Sequence, residues 1–307
     1  MKTTPVEHVP AKHAFTLLEC LAVATVLALL LITMLPALTR TSPGSRAFQC
    51  LNNLRQLTAA WRQQAGENSD NSLASRVYAD YPRAAWMTGT LNYDGTSASN
   101  YDPAVDIAKS RLYLYMGGAA SSFRCPADQS TVILAGSWNG LPAGSRVLRV
   151  RSYSMSPVFD QGEWLDGVPT APSQYWRTYA RLGQIVIPSK TIVFADANPA
   201  KTNDGSFKIA CTYNQPGDPP TSAMFIDLPA NVHQSAGVIT FADGHAEIHA
   251  WRSGFLRNLA TSDGYLLAGN RTLFSTEGII TAATVFTDPV TFADDAHWLA
   301  ERATVPK

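Results

Sequence analysis

The chain has 307 residues, a length that suits a membrane anchor joined to one globular body with its own core. Its 24 basic residues balance 24 acidic ones and only 16% of residues are charged, which excludes a sequence-independent nucleic-acid binder and an acidic disordered chain. With 20 glycines and 19 prolines the composition is ordinary, so collagen-like and low-complexity readings fall away.

Residues 1–14 are polar and mildly basic, and Lys2 and Lys12 precede a long apolar run. From Phe15 to Leu38 the sequence carries a single formal charge, Glu19. As a helix this segment would measure about 36 Å, enough for a hydrocarbon layer of about 30 Å. Lysines before it and a long polar body after it place the N-terminus in the cytoplasm and the body across the membrane. The run is long for a cleaved secretory signal, and Pro36-Ala37-Leu38-Thr39-Arg40 is a poor cleavage site. A plain signal anchor explains everything except Glu19. A carboxylate there costs about 2.5–3.5 kcal/mol at mid-membrane and less near an interface, so it calls for a positive partner, most economically on another chain.

The run Phe15-Thr16-Leu17-Leu18-Glu19 resembles the processing site of type IV prepilins and type II secretion pseudopilins. The resemblance implies cleavage between Ala14 and Phe15 by a prepilin peptidase, with N-methylation of Phe15. It makes Glu19 the assembly residue, which pairs with the N-terminal amine of a neighbouring subunit, and Pro36 the helix bend. Ala14 departs from the usual glycine before the cut. A distal signature of the same group is His233, nine intervening residues, then Asp243-Gly244. Cys50-Leu51-Asn52-Asn53, Arg124-Cys125-Pro126-Ala127-Asp128, Ser152-Tyr153-Ser154-Met155 and Trp298-Leu299 are further echoes in the expected order.

Past the bend, Ser42 and Pro43 restart a helix as N-cap and first helical residue. Ala47, Leu51, Leu54, Leu57, Trp61 and Ala65 recur at three or four residues, which predicts an amphipathic helix ending near Gly66. The chain therefore divides into a leader (1–14), an apolar helix (15–38), its amphipathic continuation (39–66) and a β-rich body (67–307). This is an α+β fold, a long N-terminal helix packed on an antiparallel sheet, and pilins share that layout. Within the body, residues 107–116 predict a short helix ending at Gly117-Gly118, and Asn92-Tyr93-Asp94-Gly95 and Asp204-Gly205 predict turns. Residues 156–180 suggest an exposed aromatic loop able to meet a partner, although packed aromatics explain the same composition. Ser189–Asp196 suggests a buried strand entering a loop. Residues 237–251 predict a hairpin with a two-residue type I′ turn at Asp243-Gly244, Phe241 opposite Ala246 and Ile239 opposite Ile248. His233 is expected to hydrogen-bond the hairpin backbone.

Alternation puts His245, Glu247 and His249 on one strand face, a pattern that can hold zinc, but a solvated polar face explains it equally well. No metal site and no cofactor is assigned. No Asp-x-Asp-x-Asp-Gly loop is present, and calcium stays open. There is no Gly-x-Ser-x-Gly elbow and no Walker or dinucleotide glycine pattern, so catalysis is not expected. Cys20 lies in the apolar helix. Cys50, Cys125 and Cys211 lie in the exported part, where a Cys50–Cys125 disulfide would tie helix to body, and three reduced core thiols are the alternative.

The expected function is thus structural. The subunit would be a single-pass inner-membrane protein with a periplasmic C-terminal body, polymerised into a type II secretion pseudopilus or type IV pilus-like filament at the cell surface. Its partners would be the prepilin peptidase/N-methyltransferase, other pilin-like subunits, the inner-membrane assembly platform and membrane lipid, with no nucleic acid. The alternative is an adhesin-like binding domain or a hydrolytic domain held by an uncleaved anchor.

Overall fold

The computed structural model describes residue 17 and residues 21–27, 43–77, 81–199, 202–259, 280–281 and 288–307. It divides into two compact units, residues 1–42 and 43–307. In the first unit residues 21–27 are helical, and Leu21, Val23, Val26 and Leu27 are each more than half exposed. Among the described residues no helix is long and apolar enough to cross a membrane. The apolar helix expected at 15–38 falls mostly outside those residues, as do Ala14, Phe15, Glu19, Cys20 and Pro36.

The second unit is a mixed α+β fold with antiparallel sheets. Its first helix, α1, runs Pro43–Glu67. Cys50, Leu54, Leu57, Trp61 and Ala65 are fully buried along one stripe, while Phe48 on another face is 65% exposed. Each large apolar side chain so buried contributes about 1.5–3 kcal/mol, more than helix propensity alone could supply. Beyond Glu67 the left-handed backbone of Ser69 and Asp70 turns the chain, and the Asp70 N–H closes onto the Ala65 carbonyl at 2.9 Å.

The helix packs against a four-stranded antiparallel sheet of order β3-β4-β6-β7, where β3 is Tyr153–Met155, β4 Ile192–Asp196, β6 Ala236–Phe241 and β7 Ala246–Ala250. Strands β3, β4 and β6 are buried along their whole length, so Ile192–Ala195 and Ala236–Ile239 run apolar without alternation, and the polar Ser154, Asp196 and Thr240 are buried with them. Polar groups in this layer pair internally: the Thr58 hydroxyl of α1 donates to Thr240 Oγ1 of β6 at 2.7 Å. The register between β4 and β6 slips between Ile192 and Phe194, a bulge, while on the other edge of β4 the ladder with β3 continues one rung further as Ser156 N donates to the Val193 carbonyl at 2.9 Å. Among the described residues, two small ribbons, β1 (Thr131–Ile133) with β2 (Arg146–Leu148) and β5 (Met224–Phe225) with β8 (Ile280–Thr281), complete the strands. A short helix α2 (Gly254–Arg257) and the helix α3 (Pro289–Ala300) follow the hairpin. Ser253 caps α2, and Asp288 with Pro289 behind it opens α3.

Three local expectations are corrected. Residues 107–116 form a single 3₁₀ turn at Ile107–Lys109 followed by turns. The Ser110 hydroxyl diverts the chain there, donating to the Trp86 carbonyl at 2.6 Å and accepting from Leu112 N at 3.1 Å. Residues 156–180 are mostly packed, with Phe159, Trp164, Trp176 and Tyr179 buried and a continuous exposed stretch only at 168–172. Trp176 is bridged to Pro306, and Lys307 N donates to the Tyr175 carbonyl at 2.9 Å, so a C-terminal segment covers this region. The β6–β7 hairpin has a three-residue turn. Thr240 faces Ala246 and Val238 faces Ile248, a one-residue shift from the register that a type I′ turn demands. A type I′ turn needs φ > 0 at both central residues, and here only Gly244 has it, at +98°. Asp243 instead folds its carboxylate onto the His245 backbone N–H at 3.0 Å.

Candidate functional site

Four chemically capable side chains meet between α1 and the sheet: Cys50, Cys125, Asp196 and His233, all buried, with their donor atoms within 4.8 Å of one another. Each comes from a different part of the fold. Cys50 lies on the buried stripe of α1, and Cys125 follows the 3₁₀ turn Ala120–Phe123. Asp196 ends β4, a carboxylate closing an otherwise apolar strand, and His233 lies in the turn that leads into β6.

The pairwise geometry is close. The His233 imidazole Nε2 is 3.3 Å from Cys125 Sγ and 3.3 Å from Asp196 Oδ2. The Cys50 thiol donates to the same Asp196 oxygen at 3.4 Å, and the Tyr153 hydroxyl donates to Cys50 Sγ at 3.4 Å. Tyr153 is there because β3 pairs it directly opposite Asp196, on the same face of the sheet. Around Cys125, its backbone N–H donates to Ser152 Oγ at 3.1 Å, and the Ser152 hydroxyl donates to Asp128 Oδ2 at 2.6 Å. That chain of bonds fixes the loop. Asp196 Oδ1 and His233 Nδ1 have no hydrogen-bond partner among the described residues.

Burial shapes the proton chemistry. It pushes the Cys50 thiol well up, helped by a hydrogen bond to Cys125 and by the field of Asp196, and it raises the Asp196 carboxyl. For His233 burial opposes the charged form, but hydrogen bonds to Asp196 and Cys125 outweigh it and hold the imidazole up to about 10. The Cys50 thiol therefore keeps its proton and His233 is held as an imidazolium. Cys125 also lines a cleft of about 660 Å³, bordered by Gln49, Asn53, Tyr101 and Arg124.

The other sequence-singled residues fall elsewhere. The His233 backbone N–H does reach the hairpin, donating to the Ala236 carbonyl at 3.2 Å, but its side chain serves the cluster. Asp243 and Gly244 stay at the far end of the hairpin, where Arg62 of α1 donates to the Asp243 carbonyl. His245 pairs with Asp243 at 2.6 Å and stacks on Phe241, and His249 stacks on Trp298 with ring centroids 3.7 Å apart. His245, Glu247 and His249 thus do not converge on a common point. Cys50, Cys125 and Cys211 are all free buried thiols, so the expected Cys50–Cys125 disulfide is not formed, although those two residues are brought together. Asp196 was missed as a site residue. Its signal was a lone carboxylate at the end of Ile192-Val193-Phe194-Ala195, where a buried strand has no reason to keep a charge. Comparison of the chain with models of known families, with curated proteins and with solved structures gives no match.

Proposed function

We propose that this chain is a pilin-like structural subunit, cut between Ala14 and Phe15, N-methylated at Phe15, and polymerised through its apolar segment into a pseudopilus or pilus-like filament. The observation that carries the reading is the Phe15-Thr16-Leu17-Leu18-Glu19 run at the head of an apolar stretch that holds no other charge. The α+β body supports it in a coarser way, since α1 is amphipathic and lies on an antiparallel sheet. Assembly is the mechanism. Apolar residues 15–38 bundle in the filament core, and Glu19 neutralises the Phe15 amine of a neighbour. A misregistered subunit would bury an unpaired carboxylate, a penalty that sets the axial step.

N-terminal sequencing and intact mass of the protein from membranes, with and without a co-expressed prepilin peptidase, test the processing. The expected product begins at methylated Phe15 only when the peptidase is present. Retention of residues 1–14 under both conditions would leave a simple anchor. Glu19→Gln tests the assembly role separately: the variant should insert and be processed as before, yet give few or no filaments by electron microscopy. Filaments in normal number would refute it.

A further inference from the structure

We propose that Cys50, Cys125, Asp196 and His233 form a four-coordinate site for a thiophilic divalent cation, zinc by its donor set, which clasps α1 to the sheet. This goes beyond the assembly reading and stands whether or not the N-terminus is processed.

The donor chemistry is two thiols, one imidazole and one carboxylate, each a known zinc ligand type. The spacing fits. A tetrahedral ion with bonds of about 2.0–2.3 Å sets its ligands about 3.3–3.8 Å apart. The three short separations, Cys125 Sγ to His233 Nε2, His233 Nε2 to Asp196 Oδ2, and Asp196 Oδ2 to Cys50 Sγ, are 3.3, 3.3 and 3.4 Å. Every donor pair lies within 4.8 Å, so small side-chain adjustments close the remaining edges.

Two further observations point the same way. The Asp196 side chain is 1% exposed, yet its Oδ1 has no hydrogen-bond partner among the described residues. A buried carboxylate left half unsatisfied is costly, and a cation beside it removes that cost. Outside the four ligands, the Tyr153 hydroxyl donates to Cys50 Sγ, and Cys125 is held through its backbone N–H by Ser152 and Asp128. Such outer bonds orient ligands, and the Tyr153 hydroxyl disperses the negative charge that two thiolates and a carboxylate leave around a divalent ion. The cleft that Cys125 lines brings solvent close to the cluster, although the donor atoms themselves are buried. A disulfide between Cys50 and Cys125 would use the same sulfurs but leave Asp196 and His233 without a reason to converge on them.

The reaction is ligand exchange. The ion sheds water, the two thiol protons and the imidazolium proton pass to solvent, and no electron moves. The ion replaces four separate buried polar groups with one centre joining α1, the Cys125 loop, β4 and the turn before β6.

The test uses the full chain, purified in detergent without chelator, with zinc measured by elemental analysis. Close to one zinc per chain is expected. Replacement with cobalt should give the visible bands of a tetrahedral ion and a thiolate-to-cobalt charge-transfer band. Cys125→Ser and His233→Ala should lower zinc affinity by roughly 10–100-fold or more, whereas Cys211→Ser, at a buried thiol outside the cluster, should leave the content unchanged. The cobalt spectrum of the unsubstituted chain keeps the proposal falsifiable if the variants do not fold. A folded, metal-free chain without a thiolate–cobalt band would overturn it. So would peptide mapping that finds Cys50 and Cys125 joined by a disulfide.

Discussion

At the scale of single residues, His249 shows how a polar position on an edge strand becomes part of the packing. Its ring stacks on Trp298 and meets Trp251 edge-on at 4.7 Å, and burial, followed by the fields of Arg302 and Arg252, lowers its pKa to about 4. Glu247 lies 3.9 Å away, beyond hydrogen-bond reach. With the folded value below the ordinary 6.5, the folded state binds the proton less well than the unfolded chain. The associated stability is complete above pH 6.5 and is lost as pH falls from there towards 4. Urea unfolding at pH 7 and pH 4.5, followed by tryptophan fluorescence, should show a loss for the native chain that exceeds that of His249→Phe by about 1–3 kcal/mol. An equal loss in both would mean that His249 binds its proton equally well in the folded and unfolded chain. Alternation along 245–249 revealed the polar face, but the Trp298 ring that covers His249 comes from α3, and no local pattern could announce it. The cluster was legible to a similar depth. Cys50 and Cys125 were paired in the sequence and His233 was singled out separately, but only the folded structure, in which β3–β4 pairing sets Tyr153 beside Asp196, reveals them as one site.

At the scale of elements, two hairpin glycines separate what a turn needs from what a packed strand needs. Gly244 has φ +98°, and a Cβ there would meet Arg62 Nη1 at 2.9 Å, the far end of a side chain that can move. Gly237 has no unusual backbone, but its Cβ would lie 2.6 Å from the Ala230 carbonyl oxygen and 3.3 Å from the Trp251 ring. That carbonyl accepts the Trp251 indole N–H at 2.7 Å, so displacing it breaks a buried bond as well as overpacking the strand. Gly237→Ala should therefore cost about 2–4 kcal/mol, against about 1–2 kcal/mol for Gly244→Ala, as measured by urea unfolding. The reverse order would show that turn strain governs this hairpin. The Asp-Gly pair revealed that two strands reverse here. It did not reveal the third turn residue, because the local pattern Ile-Thr-Phe-Ala-Asp-Gly-His fits both registers, and the choice falls to packing of β6 against α1 through Thr58 and Thr240.

At the scale of the whole molecule, the second unit is held together by distant segments. Residues 304–307 run along 173–179: Arg177 N donates to the Val305 carbonyl at 3.0 Å, and Thr304 Oγ1 donates to the Arg177 carbonyl at 2.8 Å. Lys307 Nζ reaches the Ser173 carbonyl at 2.5 Å. Removing residues 304–307 takes away these bonds and uncovers Trp176 and Tyr179. About 2–4 kcal/mol of stability should be lost, at 0.5–1.5 kcal/mol per bond. Trypsin should then cut after Arg177 much faster, and an unchanged cleavage rate would show that the segment is held by other contacts. The aromatic composition of 156–180 suggested a surface, because composition reports which side chains are available and not what lies over them.

The distances in sequence across the α1–sheet interface bear on how the chain folds. The Cys50–Asp196 contact spans 146 residues, and the Thr58–Thr240 bond spans 182. A helix of this length gains its turns locally in about a microsecond, whereas its docking partners must be gathered through large, entropically costly loops. Alone in water such a helix is only marginally stable, and until the sheet is in place Leu54, Leu57 and Trp61 have nothing to pack against. Folding of this body is therefore expected to be slow, and its refolding yield should fall as protein concentration rises; a yield independent of concentration would show that the exposed stripe is not what limits it.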